Sequence, residues 1–334
     1  MPVDPPPPPE DSGQVGVSVA MCTYQGERFL AEQLATIAGQ TRPPDELVIC
    51  DDGSTDRTLQ IVEDFRGSAG LEVRLFVNDT RLGVLKNFEK ATRLSRGAAI
   101  FFADQDDIWH PDKLARLLAA LDTAPGAGLA FSNVELVDED NKDVGHDLWR
   151  FRRMSRSRRR RLMSGHHFEY VLGQGIAAGM AQGFRAEYKD LVLPFDGLGH
   201  DLWVSVLVAA VSDSAVLDEP LGKWRQHRTQ HTGAITLRSF RRHIAEAREH
   251  NASHYGELAR GYQVLLARLH RMAGRYPPRP EALAAIEQKI SHLQARAAMR
   301  TGAGKPSLMR SEVLSGNYWR HSYGLRSVAK DLLF

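Results

Sequence analysis

A chain of 334 residues, 43% hydrophobic and 25% charged, holds enough apolar material for a full core plus an appendage, which excludes a fibre or a wholly disordered chain. Lys plus Arg at 43 against Asp plus Glu at 41 leaves a formal charge of +2, too balanced for the chain as a whole to predict nucleic-acid binding. The two cysteines, Cys22 and Cys50, sit in or beside apolar runs and read as small packing residues in a reducing compartment rather than as a disulfide.

Residues 1–14, with Pro5 to Pro9, read as a disordered lead lacking the charged-then-apolar pattern of a secretory signal. No apolar run approaches the roughly 20 residues of a membrane span, so a cytoplasmic location is expected. From Val15 to Leu121 strands and helices alternate: strands at 15–21, 46–50, 71–77 and 99–103, helices at 27–39, 55–66, 84–96 and 111–121. That alternation predicts an α/β fold with a mainly parallel sheet and right-handed crossovers. A strand at 129–131 leads into an acidic loop, Asp138 to Asp140, and then a run with eight arginines between Arg150 and Arg161. Beyond it the spacing predicts a helix over 201–210, a strand over 215–217 and helical sequence from about 238 to 300, where Tyr262, Leu265, Leu266 and Leu269 recur three and four apart.

Two strands end abruptly in carboxylates. Ala99-Ile-Phe-Phe-Ala103 runs into Asp104, Asp106 and Asp107, and Leu47 to Cys50 runs into Asp51 and Asp52. Clustered carboxylates repel and are costly to desolvate, so such ends call for a cation or a string of N–H donors. The bland alternative is a surface turn, with Asp107 capping the helix that starts near Pro111. In an open α/β sheet ligands bind where strands end, so two acidic ends point to one crevice. Neither glycine-rich phosphate signature follows the first strand, which continues as Cys22-Thr23-Tyr24-Gln25-Gly26-Glu27. A nucleotide here would meet acidic side chains and a hard cation such as Mg²⁺ or Mn²⁺.

In order along the chain, Cys22-Thr23-Tyr24-Gln25-Gly26-Glu27, Asp51-Asp52-Gly53-Ser54, Leu82-Gly83-Val84-Leu85-Lys86-Asn87, Asp104-Gln105-Asp106-Asp107, His200-Asp201-Leu202-Trp203 and Trp224-Arg225-Gln226-His227 resemble the successive motifs of the family 2 glycosyltransferases, most closely their bacterial rhamnosyltransferase-like branch. The resemblance implies a GT-A fold (Rossmann-like, a mainly parallel central sheet flanked by helices), to which the chain adds a C-terminal helical extension. It covers residues 16 to about 234 and implies a domain over 15–235, with a nucleotide-sugar half at 15–121 and an acceptor half at 122–235; the helical extension over 236–334 rests on the apolar spacing alone. It further implies an inverting, metal-dependent transfer from a dTDP-, UDP- or GDP-linked sugar, rhamnose being one candidate, to a glycan or lipid-linked acceptor.

Carried over by position, Thr23, Tyr24, Glu27, Asp51, Asp52, Asn78, Lys86 and Asp104 are expected to hold the nucleotide sugar, and Asp106, with Asp104 and His227, the metal. Which of Asp51 and Asp52 meets the base stays open, and Tyr24 could equally pack. Relatives often carry Arg where Lys86 stands, and lysine lacks the bidentate fork. Asp201 matches the base that deprotonates the acceptor hydroxyl, or else caps its own helix. Trp203 and His200 are expected on the acceptor side, Trp203 with core packing as its alternative, and His231 is a further diphosphate candidate. Ala177-Ala178-Gly179-Met180 departs from the commoner Thr-Gly-Cys wording of the branch.

Two competing readings are an inactive GT-A-like module that binds a nucleotide or partner, and a nucleotidyltransferase; the latter calls for a glycine-rich basic loop where this chain has Thr23-Tyr24. The run Arg150–Arg161 reads either as a solvated loop or as a peripheral contact with the anionic inner face of the cytoplasmic membrane. With only Phe151 among those arginines, nucleic acid is not expected as a partner.

Overall fold

The computed structural model describes residues 16–227, 230, 251–302 and 304–333. The proline-rich lead, His231 and the part of the expected C-terminal helix before residue 251 lie outside the described residues. Strands β1 (Val17–Thr23), β2 (Glu46–Asp51), β3 (Glu72–Val77) and β4 (Ala99–Ala103) alternate with helices α1 (Leu30–Ala38), α2 (Thr58–Arg66) and α3 (Val84–Leu94). β2 and β4 are buried at every position and β1 at all but one, as continuous apolar strands covered on both faces must be. All pairings among these four strands are parallel, and the register sets Thr23 beside Asp51 and Met21 beside Ala103. The three loops that follow therefore leave the sheet at one edge.

The helices expected from residues 27, 55 and 111 begin at Leu30, Thr58 and Lys113. Side chains occupy the turns in between: Asp56, for example, accepts from both the N–H and the hydroxyl of Thr58. Gly83, at φ +78°, turns the chain into α3 in a conformation that L side chains rarely adopt.

The second half of the sheet departs from the parallel expectation. β5 (Ile108–Trp109), α4 (Lys113–Asp122), β6 (Ala127–Asp138), β7 (Asp143–Asp147), α5 (Leu148–Phe151), α6 (Arg156–Met163), α7 (His167–Gln174), β8 (Gln182–Arg185), α8 (Lys189–Val192), α9 (His200–Val211) and β9 (Asp213–Gln226) follow. The strand order is β3-β2-β1-β4-β8-β6-β9-β5, with β7 paired to β6. β8 runs antiparallel to both β4 and β6, so the sheet changes direction beside the acidic end of β4. The short strands expected at 129–131 and 215–217 extend to 127–138 and 213–226, because the two pair in parallel along nearly their whole length. The arginine run is not a plain loop, since α5 and α6 occupy most of it.

The C-terminal region is helical as expected, with long helices Ala252–Met272 and Pro280–Arg300 packed together and shorter ones at Lys305–Leu314, Asn317–His321 and Leu325–Leu333. Tyr262, Leu265 and Leu269 are buried on the inner face of the first. The guanidinium of Arg268 donates to the carbonyls of Leu193 and Pro194, at 2.9 and 3.2 Å, and Arg279 donates to Ser212 O at 2.7 Å, so these helices are bonded to the segments around α8 and α9. No helix among the described residues is long and apolar enough to cross a membrane.

Candidate active site

The loops after β1, β2 and β4 wall a cleft of about 750 Å³ that reaches across to the start of α9 and the end of β9. After β1, the Thr23 hydroxyl donates to Asp51 at 2.7 Å. Asp51 is fully buried and also accepts from the N–H of Gly53, the N–H of Ser54 and the Ser54 hydroxyl, so its carboxylate is consumed in shaping the turn. Asp52 faces the cleft and accepts from Leu82 N, Gly83 N and Asn78 Nδ2 at 2.6–2.9 Å. Of the adjacent pair, Asp52 therefore lines the cleft and Asp51 lies beneath it. Tyr24 also lines the cleft, with the Arg81 guanidinium 3.8 Å above its ring, a cation–π pair that sets a flat surface at the cleft wall.

Three expected nucleotide contacts are placed otherwise. Asn78 is buried between Asp52, Asn87 and Lys90. Lys86 donates to Glu89 and to Phe195 O, both at 2.8 Å, and is not part of the cleft lining. Glu27 accepts from Arg57 N at 3.1 Å, holding the start of α2 instead of facing the cleft.

Asp104 and Asp106 line the cleft floor. Burial, then Asp106 and Asp201, push the Asp104 carboxyl up to about 7, against the pull of Lys113. His227 Nε2 lies 2.8 Å from Asp106 Oδ2, and its ring packs against Phe29 at 4.9 Å between centroids. Asp107 does not cap the next helix. It is 1% exposed, its Oδ1 accepts from Arg225 N at 3.1 Å, and α4 has Asp112 at its N-cap position with no side-chain cap bond. Burial, then the neighbouring carboxylates, hold the Asp107 carboxyl well above the usual range.

Asp201 lies in the first turn of α9, its Oδ1 accepting from Leu202 N at 2.8 Å and the Gln182 amide donating to its carbonyl at 3.0 Å. Its carboxylate lines the same cleft as Asp104 and Asp106. His200 also lines it, stacked on Phe88 with centroids 3.9 Å apart. A Cβ on Gly179 would stand 2.7 Å from His200 Nε2, so glycine there is required by close approach. Trp203 corrects its expectation: it is fully buried, its indole N–H donates to Val192 O at 2.7 Å, and it belongs to the core rather than to an acceptor surface. Cys22 and Cys50 are cross-strand neighbours and free thiols, with burial raising both pKa values.

Residues 18–181 match the model of glycosyl transferase family 2. They form a family 2 glycosyltransferase domain. The domain's fold is GT-A, shared with solved structures at low identity. Staphylococcus aureus TarS 1-349 in complex with UDP-GlcNAc aligns with a TM-score of 0.57 at 17% identity, covering 88% of this chain and 75% of that one. The mannosyltransferase PcManGT from Pyrobaculum calidifontis, in complex with GDP-Man and Mn²⁺, aligns at 0.53 and 17% identity, covering 96% and 86%. In sequence, the dTDP-rhamnosyl transferase RfbG of Shigella flexneri is 36% identical over 105 residues, 30% of this chain and 36% of that protein. The chain spans 65% of the length of the first curated relative it matches and 36% of the next.

Several side chains that build the cleft and the loops around it carried no role in the sequence reading. Arg225, 2% exposed, donates from Nε to Asp106 O, from Nη1 to Glu139 O and from Nη2 to Glu32 at 2.6 Å, tying β9 to the acidic loop. The Gln105 amide both accepts from Tyr24 N at 2.8 Å and donates to Tyr24 O at 3.0 Å, locking the first loop to the third. Lys113 is 1% exposed, donates to Met180 O and stands 3.4 Å from the Trp109 ring centroid, a buried cation under the carboxylates. Burial lowers its pKa well below the usual lysine value, with Asp107 and Asp104 opposing. The Asp-x-Asp spacing pointed to this loop, but an Arg in a loop motif and a Lys at a helix start resemble surface residues.

The donor set suits a hard divalent ion. Asp106 and His227 line the cleft with an oxygen and a nitrogen 2.8 Å apart, and Asp104 lines it too, although no group of three His, Cys, Asp or Glu donors stands preassembled among the described residues. An ion held here would draw the rest of its shell from a substrate diphosphate and water.

Proposed function

We propose that this protein is an inverting glycosyltransferase that moves a sugar from a nucleoside diphosphate donor to an acceptor hydroxyl in polysaccharide or glycolipid synthesis, with a divalent cation at Asp106, Asp104 and His227. One observation carries the reading: Asp104 and Asp106, the metal-type carboxylates, line the same cleft as Asp201, the base-type carboxylate. The Tyr24–Arg81 stack and Asp52 are suited to a base and ribose, since a flat cationic surface accepts a π face and a carboxylate accepts from ring N–H or hydroxyl groups.

In this reading the Asp201 carboxylate takes the proton of the acceptor hydroxyl as its oxygen bonds to the anomeric carbon. The bond from that carbon to the diphosphate breaks on the opposite face, and the electron pair leaves with the nucleoside diphosphate. A cation, when bound, neutralises charge growing on that leaving group. His227 contributes a further donor or ligand there, and Arg225 and Gln105 keep the acidic loop in place.

The donor is a dTDP-, UDP- or GDP-linked sugar, with dTDP-rhamnose the first to test because a relative is named for that transfer. The surface arginines Arg150, Arg153, Arg156, Arg160 and Arg161 support a peripheral, salt-sensitive contact with anionic lipid at the inner face of the cytoplasmic membrane, where each cation gains about 1 kcal/mol. The test is calorimetric titration with UDP, dTDP and GDP, followed by donor hydrolysis and transfer with Mn²⁺ or EDTA. Binding of one nucleotide and cation-dependent release of its sugar are expected. Binding without any turnover across donors and acceptors would replace the enzyme by a nucleotide-binding module, and no binding would end the reading.

A further inference from the structure

The arginines between 150 and 161 are spent in different ways. Arg159 donates to both carboxylate oxygens of Asp147 at 2.7 Å and to Asp218 at 3.0 Å. Arg161 pairs with Glu169 at 3.5 Å. Arg152, at the end of α5, turns inward instead and lines the cleft. Its Nη1 donates to the Tyr323 hydroxyl at 2.8 Å, while its Nε is buried and has no hydrogen-bond partner.

The other two arginines of the cleft have carboxylates at hand. Arg28 pairs with Glu139 at 2.8 Å, and Arg81 stands 4.0 Å from Asp52. Arg152 has none within ion-pair distance among the described residues. A guanidinium with part of its fork buried and empty is costly in a protein alone and is satisfied by an anion that accepts two parallel N–H bonds. Its place in the cleft follows from its neighbours. The Trp149 indole, on the same short helix, donates to Ile176 O at 3.1 Å, and a Cβ on Gly179, which lines the cleft with Arg152, would stand 3.6 Å from Asp201 Cβ, so the arginine belongs to the Asp201 end. The acidic pair Asp104 and Asp106 with His227 already provides for a diphosphate elsewhere on the floor.

We propose that Arg152, oriented by Tyr323 of the C-terminal helical region, is an anion subsite that binds a phosphate group carried by the acceptor. The word acceptor rests on the glycosyltransferase reading; the anion subsite itself does not. It also gives the C-terminal helices a part in the site, since Tyr323 touches Arg152 and not the reacting atoms.

The experiment uses the full chain and phenyl phosphate as the probe, with benzyl alcohol as the neutral control, titrated by NMR or calorimetry in the presence of Mn²⁺ and whichever of UDP, dTDP and GDP binds tightest. Phenyl phosphate is expected to bind and benzyl alcohol not. Arg152→Met should weaken phenyl phosphate by about tenfold or more, and Arg152→Lys by less, because it keeps the charge but not the fork. Tyr323→Phe removes one hydroxyl with little risk to folding and should still weaken the probe by about two- to fivefold, a change no direct contact explains. Nucleoside diphosphate affinity should be the same in all three variants. The proposal is overturned if the wild type does not distinguish phenyl phosphate from benzyl alcohol, or if Arg152→Met leaves phenyl phosphate unchanged. A loss of nucleoside diphosphate affinity in its place would assign Arg152 to the donor and overturn it equally. If no nucleoside diphosphate binds while phenyl phosphate still depends on Arg152, the glycosyltransferase reading falls and the anion subsite stands.

Discussion

Asp201→Asn separates the two roles open to that carboxylate. Oδ1 accepts from Leu202 N at 2.8 Å in the first turn of α9. An asparagine carbonyl can take the same bond, so the helix loses only the difference between a charged and a neutral acceptor, of order 1 kcal/mol. The chemistry loses its proton acceptor altogether. Positioned general bases contribute about 10²–10⁴ in rate, and at about 1.36 kcal/mol per decade this is about 2.7–5.4 kcal/mol of barrier. The expected result is therefore lopsided: kcat falls about a hundredfold or more, while thermal unfolding moves by a few degrees at most. Asp201 is not among the residues proposed to hold the cation, so affinity for Mn²⁺ should change little. Initial rates of transfer, calorimetry with the nucleoside diphosphate and with Mn²⁺, and a melting curve form the assay. A rate loss under about threefold, or a fall in nucleotide affinity matching the fall in rate, would refute the assignment and leave Asp201 with only its bond to Leu202 N in the first turn, Gly199 being the N-cap residue.

Asp106→Ala should abolish cation-stimulated turnover and leave the melting temperature nearly unchanged, because the carboxylate is partly exposed at a loop; activity that survives both the substitution and EDTA would contradict the metal site. Trp203→Phe should cost about 1–3 kcal/mol in denaturant unfolding by stranding Val192 O, with kcat per folded molecule unchanged, whereas a selective rise in acceptor KM would return Trp203 to the acceptor side. Burial, then Arg296, lowers the Lys289 ammonium to about 7, so between that value and the unfolded lysine value of about 10.4 the unfolded chain holds more protons and stability rises with pH. Lys289→Met should consequently stabilise the protein most at pH 7 and below, the gain over wild type vanishing toward pH 10; a constant difference across that range would show that Lys289 is not ionised at a cost. Vesicles with anionic lipid should float the protein at low salt and release it at high salt, and no flotation at low salt would remove the membrane contact.

What was legible in the sequence was what periodicity and local chemistry encode. Continuous apolar strands ending in carboxylates located the parallel half of the sheet and the edge where the cleft opens, because burial on both faces leaves a run such as Ala99–Ala103 no other use. The mixed half was less legible. β8 is four residues and β5 only two, and both exist through pairing with strands distant in sequence, which no local pattern announces.

The same distinction runs through the site. Residue types located the acidic loops, but they do not tell a carboxylate that meets a ligand from one that builds the loop. Asp51 and Asp52 are adjacent and chemically identical, yet four donors from Thr23, Gly53 and Ser54 consume Asp51, while Asp52 faces the cleft. Asp107 is buried as well, one of its oxygens held by the backbone N–H of Arg225, 118 residues away in sequence. Lys113, whose charge opposes this acidity, and Arg225, which holds the acidic loop through Asp106 O and Asp107, are nearly fully buried at positions whose sequence context suggests solvent. A carboxylate cluster implies by electrostatics that something compensates it; only tertiary structure says which residues take part.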